Sequence, residues 1–431
     1  MTTSSLSKLA YPLIALSLAG CTVGPNYQRP SAIISSQFKE AAGFAPAAPA
    51  DILSRGDWWT VFNDPVLSAL AAKVQVSNQN VIAAEAAYRQ ARELVREQRA
   101  SLFPTVNLNS SATRSGTGGG SSSTVVGGEI VGGSGGARNS YRVSLGASWE
   151  PDVWGRIRRT IEAARANAQA SQADLEAATL SAQGELVADY FGLRQADVEL
   201  ALDKATVEGY RRSLTITQNR YNAGVAPKSD VLQAQTQLDN ALADQAGTEQ
   251  QRANYEHAIA VLTGTAPGDF TVAPVDNWTP QPVGVPPLVP SQLLERRPDI
   301  AAAERAMQSA NAQIGIQRSA YFPNLSLTGS YGFAAGELGS LFNASNSVWS
   351  IGLSAAETLF DAGARRARVK GARAAYDQAV ARYRQTVLDA LQDVENQLIA
   401  GRVLATQYDL RRSASAAADQ TEQMVFNRYE A

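Results

Sequence analysis

Apolar residues recur along this chain with two periods, three to four residues over long stretches and two residues over short ones. The longest stretch of helical period runs from Gly155 to Tyr221 without a proline, and Gly363 to Tyr429 repeats it at a constant offset. A helix of about 65 residues is roughly 100 Å long at about 1.5 Å rise per residue. The sequence therefore predicts an internal duplication built on two very long helices.

Shorter helices are predicted before the first long one. The helical period indicates helices at about 66–76 and 79–99, and Pro104 ends the second because proline cannot continue a helix. Trp58 and Trp59 precede both helices, and we expect these adjacent tryptophans to serve as packing anchors.

A tight turn and a return helix are predicted after the long helix. Gly224 can take the left-handed turn conformation, and a helix is expected from Ser229, a candidate N-cap, to about Thr263. The second repeat stops at Ala431, before any equivalent of residues 224–264. We therefore expect the second repeat to be truncated before its last helix.

Strict alternation of apolar and polar residues predicts two strands in each repeat. They fall at about 103–114 and 140–150 in the first repeat and at about 322–333 and 347–356 in the second. Each strand has one apolar face and about ten residues, the length that crosses a bilayer as β-structure. A soluble sheet with one solvated face would show the same alternation. Residues 116–136 are mostly Gly, Ser, Thr and Val, and we expect them to be too flexible to pack.

The N-terminus has the features of an export signal. Residues 1–20 combine a basic residue with an apolar run, and Leu18-Ala19-Gly20-Cys21 resembles a bacterial lipobox. That resemblance implies cleavage before Cys21, lipidation of this cysteine and, because Thr22 is not an aspartate, the outer membrane. An ordinary signal peptide followed by a free thiol is the alternative.

The predicted organisation follows from these signals. It consists of a signal peptide at 1–20, a lipid-anchored extended segment at 21–56, a first repeat at 57–264, a linker at 265–290 and a second, truncated repeat at 291–431.

Composition excludes several classes of function. The 38 Lys and Arg residues nearly balance the 40 Asp and Glu residues, which argues against a nucleic-acid partner. With one cysteine and one histidine, the chain cannot assemble a disulfide framework, a Cys/His metal site or a histidine-based triad. We therefore predict no catalytic, cofactor or metal site, although carboxylate enzymes stay open as a minor alternative.

The predicted strands require partners if they lie in a membrane. A membrane sheet must close to hide its edges, and four strands are too few to enclose a barrel, so several chains must share one. The polar faces would line a wet interior. Five aromatic residues suit the girdles near the membrane interfaces: Tyr141, Trp149, Tyr331, Phe333 and Trp349.

Four motifs together resemble the TolC-like outer-membrane efflux protein family, in its lipoprotein branch. They are Cys21-Thr22-Val23-Gly24-Pro25-Asn26-Tyr27 with Arg29-Pro30, Trp149-Glu150-Pro151-Asp152-Val153-Trp154-Gly155-Arg156, Arg220-Tyr221 with Gly224, and Leu294 through Asp299. The resemblance covers the chain from the signal peptide to its last residue.

This resemblance implies a mainly α fold with a membrane β-barrel portion. Three identical chains would form a twelve-stranded barrel continued by a long α-helical periplasmic tunnel. The implied function is a passive exit duct for drugs or other small solutes across the periplasm and outer membrane. Its implied partners are a periplasmic adaptor protein, an inner-membrane efflux pump and outer-membrane lipid.

The first hairpin turn is the candidate gate or adaptor-docking site that the resemblance implies. Its residues are Tyr221, Asn222, Gly224, Lys228 and Asp230, for which ordinary turn chemistry and helix capping are the alternative. A lipid-anchored periplasmic coiled-coil scaffold or adaptor is the competing function. It explains the helices and Cys21 but not four strands of spanning length.

Overall fold

A computed structural model describes residues 22–31, 56–116, 123–126, 129–132, 137–279 and 297–430. Several predictions fall outside these residues. They concern the signal peptide, Cys21, most of the extended segment, part of the loop at 116–136 and the second half of the linker.

Within the described residues, the helices and strands alternate as a repeated pattern. The helices are α1 (Pro65–Ser77), α2 (Gln79–Ala100), α3 (Arg156–Asn222), α4 (Lys228–Leu262), α5 (Pro298–Ser319) and α6 (Ala364–Glu430). The strands are β1 (Thr105–Ser115), β2 (Ser123–Val126), β3 (Glu129–Gly132), β4 (Arg138–Trp149), β5 (Asn324–Ala335) and β6 (Ser347–Ala356). Helices α3 and α6 each contain 67 residues, so the two longest segments of helical period are indeed single helices.

The hairpin between α3 and α4 begins at a glycine in the left-handed conformation. Gly224 has φ +74°, and the Val225 N–H donates to the Arg220 carbonyl at 3.0 Å, which satisfies an orphan carbonyl of the helix end. Helix α4 then begins at Lys228 with Pro227 as its N-cap, and no side chain caps it. The prediction that Ser229 is the cap is wrong, because its backbone already lies inside the helix.

The main sheet is antiparallel and combines strands from both repeats. Its strand order is β1-β4-β5-β6, so β4 of the first repeat pairs with β5 of the second. A separate two-stranded hairpin pairs β2 with β3 inside the segment 116–136. The expectation that this whole segment is too flexible to pack is therefore wrong, because Val125 and Ile130 lie in a paired β-hairpin.

The chain divides into two compact units. The first comprises Met1–Arg29, Ala91–Ala168 and Arg305–Val380, and contains the main sheet. The second comprises Pro30–Gln90, Gln169–Glu304 and Ala381–Ala431.

The second unit has an apolar core. Trp59, Leu67, Leu186, Tyr190 and Ile259 are among its buried members. Trp58 packs against this core and its indole nitrogen donates to the Gln183 side chain at 3.3 Å, so both tryptophans act as packing anchors as predicted.

A buried ion network lies beside this core. Asp197 is 2% exposed and accepts from the guanidinium groups of Arg194 at 2.9 Å and Arg252 at 2.7 Å. The same arginines donate to the carbonyls of Ala273 and Val272, each at 2.8 Å. The network therefore holds the first half of the linker against α3 and α4.

None of the helices in the described ranges is long and apolar enough to cross a membrane.

Candidate functional site

The main sheet has one apolar face across all of its strands. The register places Leu108 opposite Leu145 and Leu145 opposite Tyr331, and it places Tyr331 opposite Trp349. Side chains alternate between faces along each strand, so these four residues share one face. These side chains are largely exposed: Leu108 is 69% exposed and Trp349 is 74% exposed.

Such a continuous apolar surface is incompatible with simple exposure to water. A fully exposed Leu or Ile side chain forgoes about 1.5–3 kcal/mol relative to burial. Large exposed apolar patches on folded proteins are typically covered by a partner or by a membrane. The apolar face is therefore a candidate lipid-contacting surface.

The opposite face of the sheet is polar. Thr105 faces Ser148 with hydroxyl oxygens 3.0 Å apart, and Ser330 faces Ser350 with hydroxyl oxygens 2.8 Å apart. Asn109 lies on the same face, opposite Ser144. These hydroxyls and amides bond readily to water, so this face suits a wet channel wall.

Both edges of the main sheet are open. Among the described residues, β1 pairs only with β4, and β6 pairs only with β5. Each edge strand thus presents a row of backbone N–H and C=O groups without a strand partner. Such edges are costly in lipid, where water cannot satisfy them.

The five predicted girdle residues lie toward opposite ends of the sheet. Tyr141, Tyr331, Phe333 and Trp349 lie in the half nearest the β5–β6 loop. Trp149 lies at the other end, where its indole nitrogen donates to the Leu102 carbonyl at 2.9 Å. The structure thus places aromatic side chains near both ends of the strands.

The residues after Cys21 form a strap, residues 22–29, against α3 and α5 of the first unit. Its central contact is Arg159, which is 4% exposed. The Arg159 guanidinium donates to the Gly24 carbonyl at 3.3 Å and to the Asn26 side chain at 2.8 Å. The Asn311 side chain donates to the Pro25 carbonyl at 3.1 Å. Cys21 itself lies outside the described residues.

The turn that leads from β4 into α3 is shaped to receive the strap. Gly155 has φ +80°, and a Cβ added there would lie 2.5 Å from Cγ2 of Thr22. The Val23 N–H donates to the Trp154 carbonyl at 3.1 Å, and the Trp154 ring stacks on Phe322 with centroids 4.8 Å apart. Arg159 lies three residues beyond the motif that ends at Arg156, and the sequence did not predict it as the strap's anchor.

An aspartate shortly before each of the two long helices accepts hydrogen bonds from N–H groups in the first turn of that helix. The carboxylate of Asp152 accepts the N–H groups of Ile157 and Arg158 at 2.8 and 2.9 Å. Before the second long helix, a hydrogen bond from the Arg365 N–H lowers the pKa of Asp361. Neither cap was predicted from the sequence, although Asp152 lies in the motif Trp149–Arg156.

The predicted tip residues lie together at the α3–α4 turn. Tyr221, Asn222, Gly224, Lys228 and Asp230 are all exposed. Asp230 lies in the first turn of α4, where the helix dipole stabilises a negative charge, but its side chain makes no capping hydrogen bond. Capping therefore does not account for Asp230, and its role stays a prediction.

The described residues contain no candidate metal site. Within the described ranges, no group of three His, Cys, Asp or Glu side chains is arranged to hold a metal ion.

Comparison with known proteins gives a consistent result. The sequence profile of the family described as outer membrane efflux protein matches residues 70–265 and 289–431. The chain is 30% identical over 430 residues to the probable efflux pump outer membrane protein TtgC of Pseudomonas putida, covering 99% of this chain and 87% of that protein.

Solved structures are similar over nearly the whole chain. The outer-membrane channel OprN is 32% identical with a TM-score of 0.78, over 93% of this chain and 88% of that one. The channel CusC is 26% identical with a TM-score of 0.81, over 95% of this chain and 90% of that one.

Proposed function

Because this chain belongs to the outer membrane efflux protein family, as an outer-membrane channel component of an efflux system, we propose that three copies form one duct. The duct is a homotrimer whose twelve strands close a barrel and whose helices enclose a periplasmic tunnel. It is anchored by lipid at Cys21, and it passes drugs or other small solutes outward.

The observation that supports a trimer is that the main sheet has one apolar face and two open edges. Four strands cannot enclose a barrel, but edge-to-edge pairing of β1 with β6 of the next copy removes every edge. Strands of 10 to 12 residues, tilted as in known barrels, match a hydrocarbon layer about 30 Å thick. The polar face then points inward and the apolar face contacts lipid.

The strap supports the proposed lipid anchor. Its contacts with Arg159 and Asn311 fix residues 22–29 close to the start of α3, immediately after Cys21 in the chain. Acyl chains on Cys21 would therefore enter lipid beside the sheet and not at a distance from it.

The proposed partners are a periplasmic adaptor and an inner-membrane pump. The exposed α3–α4 turn, with Lys228 and Asp230, is the proposed gate or docking point. An Asp230→Ala variant is expected to lose export while keeping its trimer level. Unaltered export would remove Asp230 from the gate.

Alternating labelling of the sheet tests the channel. Single cysteines at Asn109 and Ser350 should react with a membrane-impermeant maleimide, because both line the proposed wet interior. Matched cysteines at Leu108 and Ile351 should be protected by lipid, and the unaltered chain gives the background. Equal labelling of both sets, or a monomer that needs no detergent, would contradict the proposal.

A further inference from the structure

A cleft of about 520 Å³ lies between the C-terminal end of α5 and the first turns of α6, within the first unit. We name it the basic cleft after four of its lining residues, Arg318, Arg366, Lys370 and Arg373. Tyr321 and Phe322 complete its apolar side. The described residues that line it include no carboxylate.

The four positive charges line one cleft, and no acidic residue is among the described residues that line it with them. Arg366, Lys370 and Arg373 follow at spacings of four and three, so they are neighbours on one face of α6. Like charges at this spacing destabilise a helix. Among the described residues, none of the four side chains takes part in an ion pair.

The acidic residue just before α6 already has a partner. Asp361 caps the start of α6 and accepts from the Arg365 guanidinium at 2.9 Å. Arg365 also lies over the Tyr321 ring, 5.4 Å from its centroid. Asp361 and Arg365 therefore satisfy each other at the cleft's edge, and the cations inside are left to an external anion.

The walls of the cleft combine rigid aromatic surface with the strap. Phe322 stacks on Trp154, which fixes its ring. Val23, in the strap, also lines the cleft, two residues after Cys21. The cleft thus offers cations beside apolar surface, an arrangement that suits a ligand with a charged head and a hydrocarbon body.

The cleft also lies at the helical end of the sheet. Phe322 is followed closely by the start of β5 at Asn324, and Arg366 lies in the first turn of α6. If the strands span the hydrocarbon layer, these residues lie at the depth of the periplasmic headgroups. This placement rests on the proposed function.

We infer that the basic cleft binds the phosphate group of an anionic phospholipid of the periplasmic leaflet. Arg366, Lys370 and Arg373 bind the headgroup, and Arg318 of α5 lines the same cleft. Tyr321 and Phe322 contact the upper part of an acyl chain. The bound lipid neutralises the like charges of α6 and thereby stabilises the junction between helix and strand.

The test uses the full chain purified in a neutral detergent. Phosphatidylglycerol with brominated acyl chains is titrated in, and quenching of tryptophan fluorescence reports binding because Trp154 stacks on Phe322. The cleft variant carries Arg366→Gln, Lys370→Gln and Arg373→Gln. Its matched control carries Arg211→Gln, Arg212→Gln and Arg220→Gln, which remove the same charge from α3 near the hairpin turn.

The cleft variant should bind phosphatidylglycerol about a hundredfold more weakly. Each of the three cations removed should lower the affinity about fivefold, the typical contribution of one Lys or Arg near a membrane surface. The control should bind like the unaltered chain, and Lys370→Arg should retain binding. Equal affinity in the cleft variant and the control would overturn the inference, as would equal affinity for brominated phosphatidylcholine.

Two further outcomes separate this inference from its premise. Millimolar inorganic phosphate that displaces the lipid completely would overturn the lipid assignment in favour of a free-phosphate site. A chain that forms trimers and shows the alternating labelling, yet binds no phosphatidylglycerol, would overturn the inference while leaving the channel intact. Equal labelling of the two sets of cysteines would instead contradict the proposed function.

Discussion

Replacing Asp197 with alanine should strongly destabilise the helical unit. The carboxylate accepts from Arg194 and Arg252 and also from the Val275 N–H at 3.2 Å, so three donors depend on it. The side chain of Arg194 is 4% exposed, which leaves its charge almost no access to water once Asp197 is gone.

The magnitude follows from these burials. Removing one partner of a buried ion pair typically costs about 3–5 kcal/mol, because the other charge stays uncompensated. Arg252 offsets part of this, since its side chain is 16% exposed and keeps Glu256 as a partner at 3.3 Å. The unpaired Val275 N–H adds about 1–3 kcal/mol. We therefore expect a loss of about 3–5 kcal/mol in the free energy of unfolding.

Guanidinium unfolding in detergent, followed by tryptophan fluorescence, measures this loss. Trp58 and Trp59 pack in the same unit and report on its core. The control is Asp239→Ala, which removes the same charge from an exposed site where the carboxylate accepts from Gln235 on the same helix. It should change stability by less than about 0.5 kcal/mol. A loss below about 1 kcal/mol for Asp197→Ala would refute the assigned role of the network.

Three further predictions concern the strap and the core. Arg159→Ala should remove the charge-assisted hydrogen bonds that hold the strap, at about 1.5–3 kcal/mol, and limited proteolysis should cut the N-terminal segment faster; an unchanged rate would contradict this. Gly155→Ala should destabilise the chain more than Gly363→Ala, because both glycines have positive φ but only the first abuts the strap; equal melting temperatures would show that the contact is unimportant. Burial and the hydrogen bond to Asp64 raise the pKa of Tyr190 to about 12. The neutral phenol therefore contributes fully to the free energy of unfolding below about pH 10, and this contribution is lost as the pH rises toward 12. Tyr190→Phe should make the alkaline loss of stability shallower, and an equally steep loss in the variant would argue against this role.

Local periodicity was enough to predict most of the helices and strands. The long helices at Arg156–Asn222 and Ala364–Glu430 lie where the helical period runs without proline. The strands Thr105–Ser115 and Ser347–Ala356 lie where apolar residues alternate. Both signals are local, because the period of burial is a property of neighbouring residues in the chain.

Contacts between distant segments could not be predicted in this way. Alternation is the same whichever strand a strand pairs with, so the pairing of β4 with β5 across the two repeats came only from the structure. The N-cap at Pro227, which displaced Ser229, depended on where the turn ends and not on the preference of serine for caps.

The sequence by itself determined the duplication, the types of element and the one-sidedness of each strand, because these depend on residue order alone. Only the tertiary structure decided that Arg159 anchors the strap, that Asp197 joins two arginines and that cations from α5 and α6 share a cleft. The reason is physical. The sequence gives no sign that a charged residue of a long helix is buried, because the segment that covers it in the folded protein lies far away in the chain.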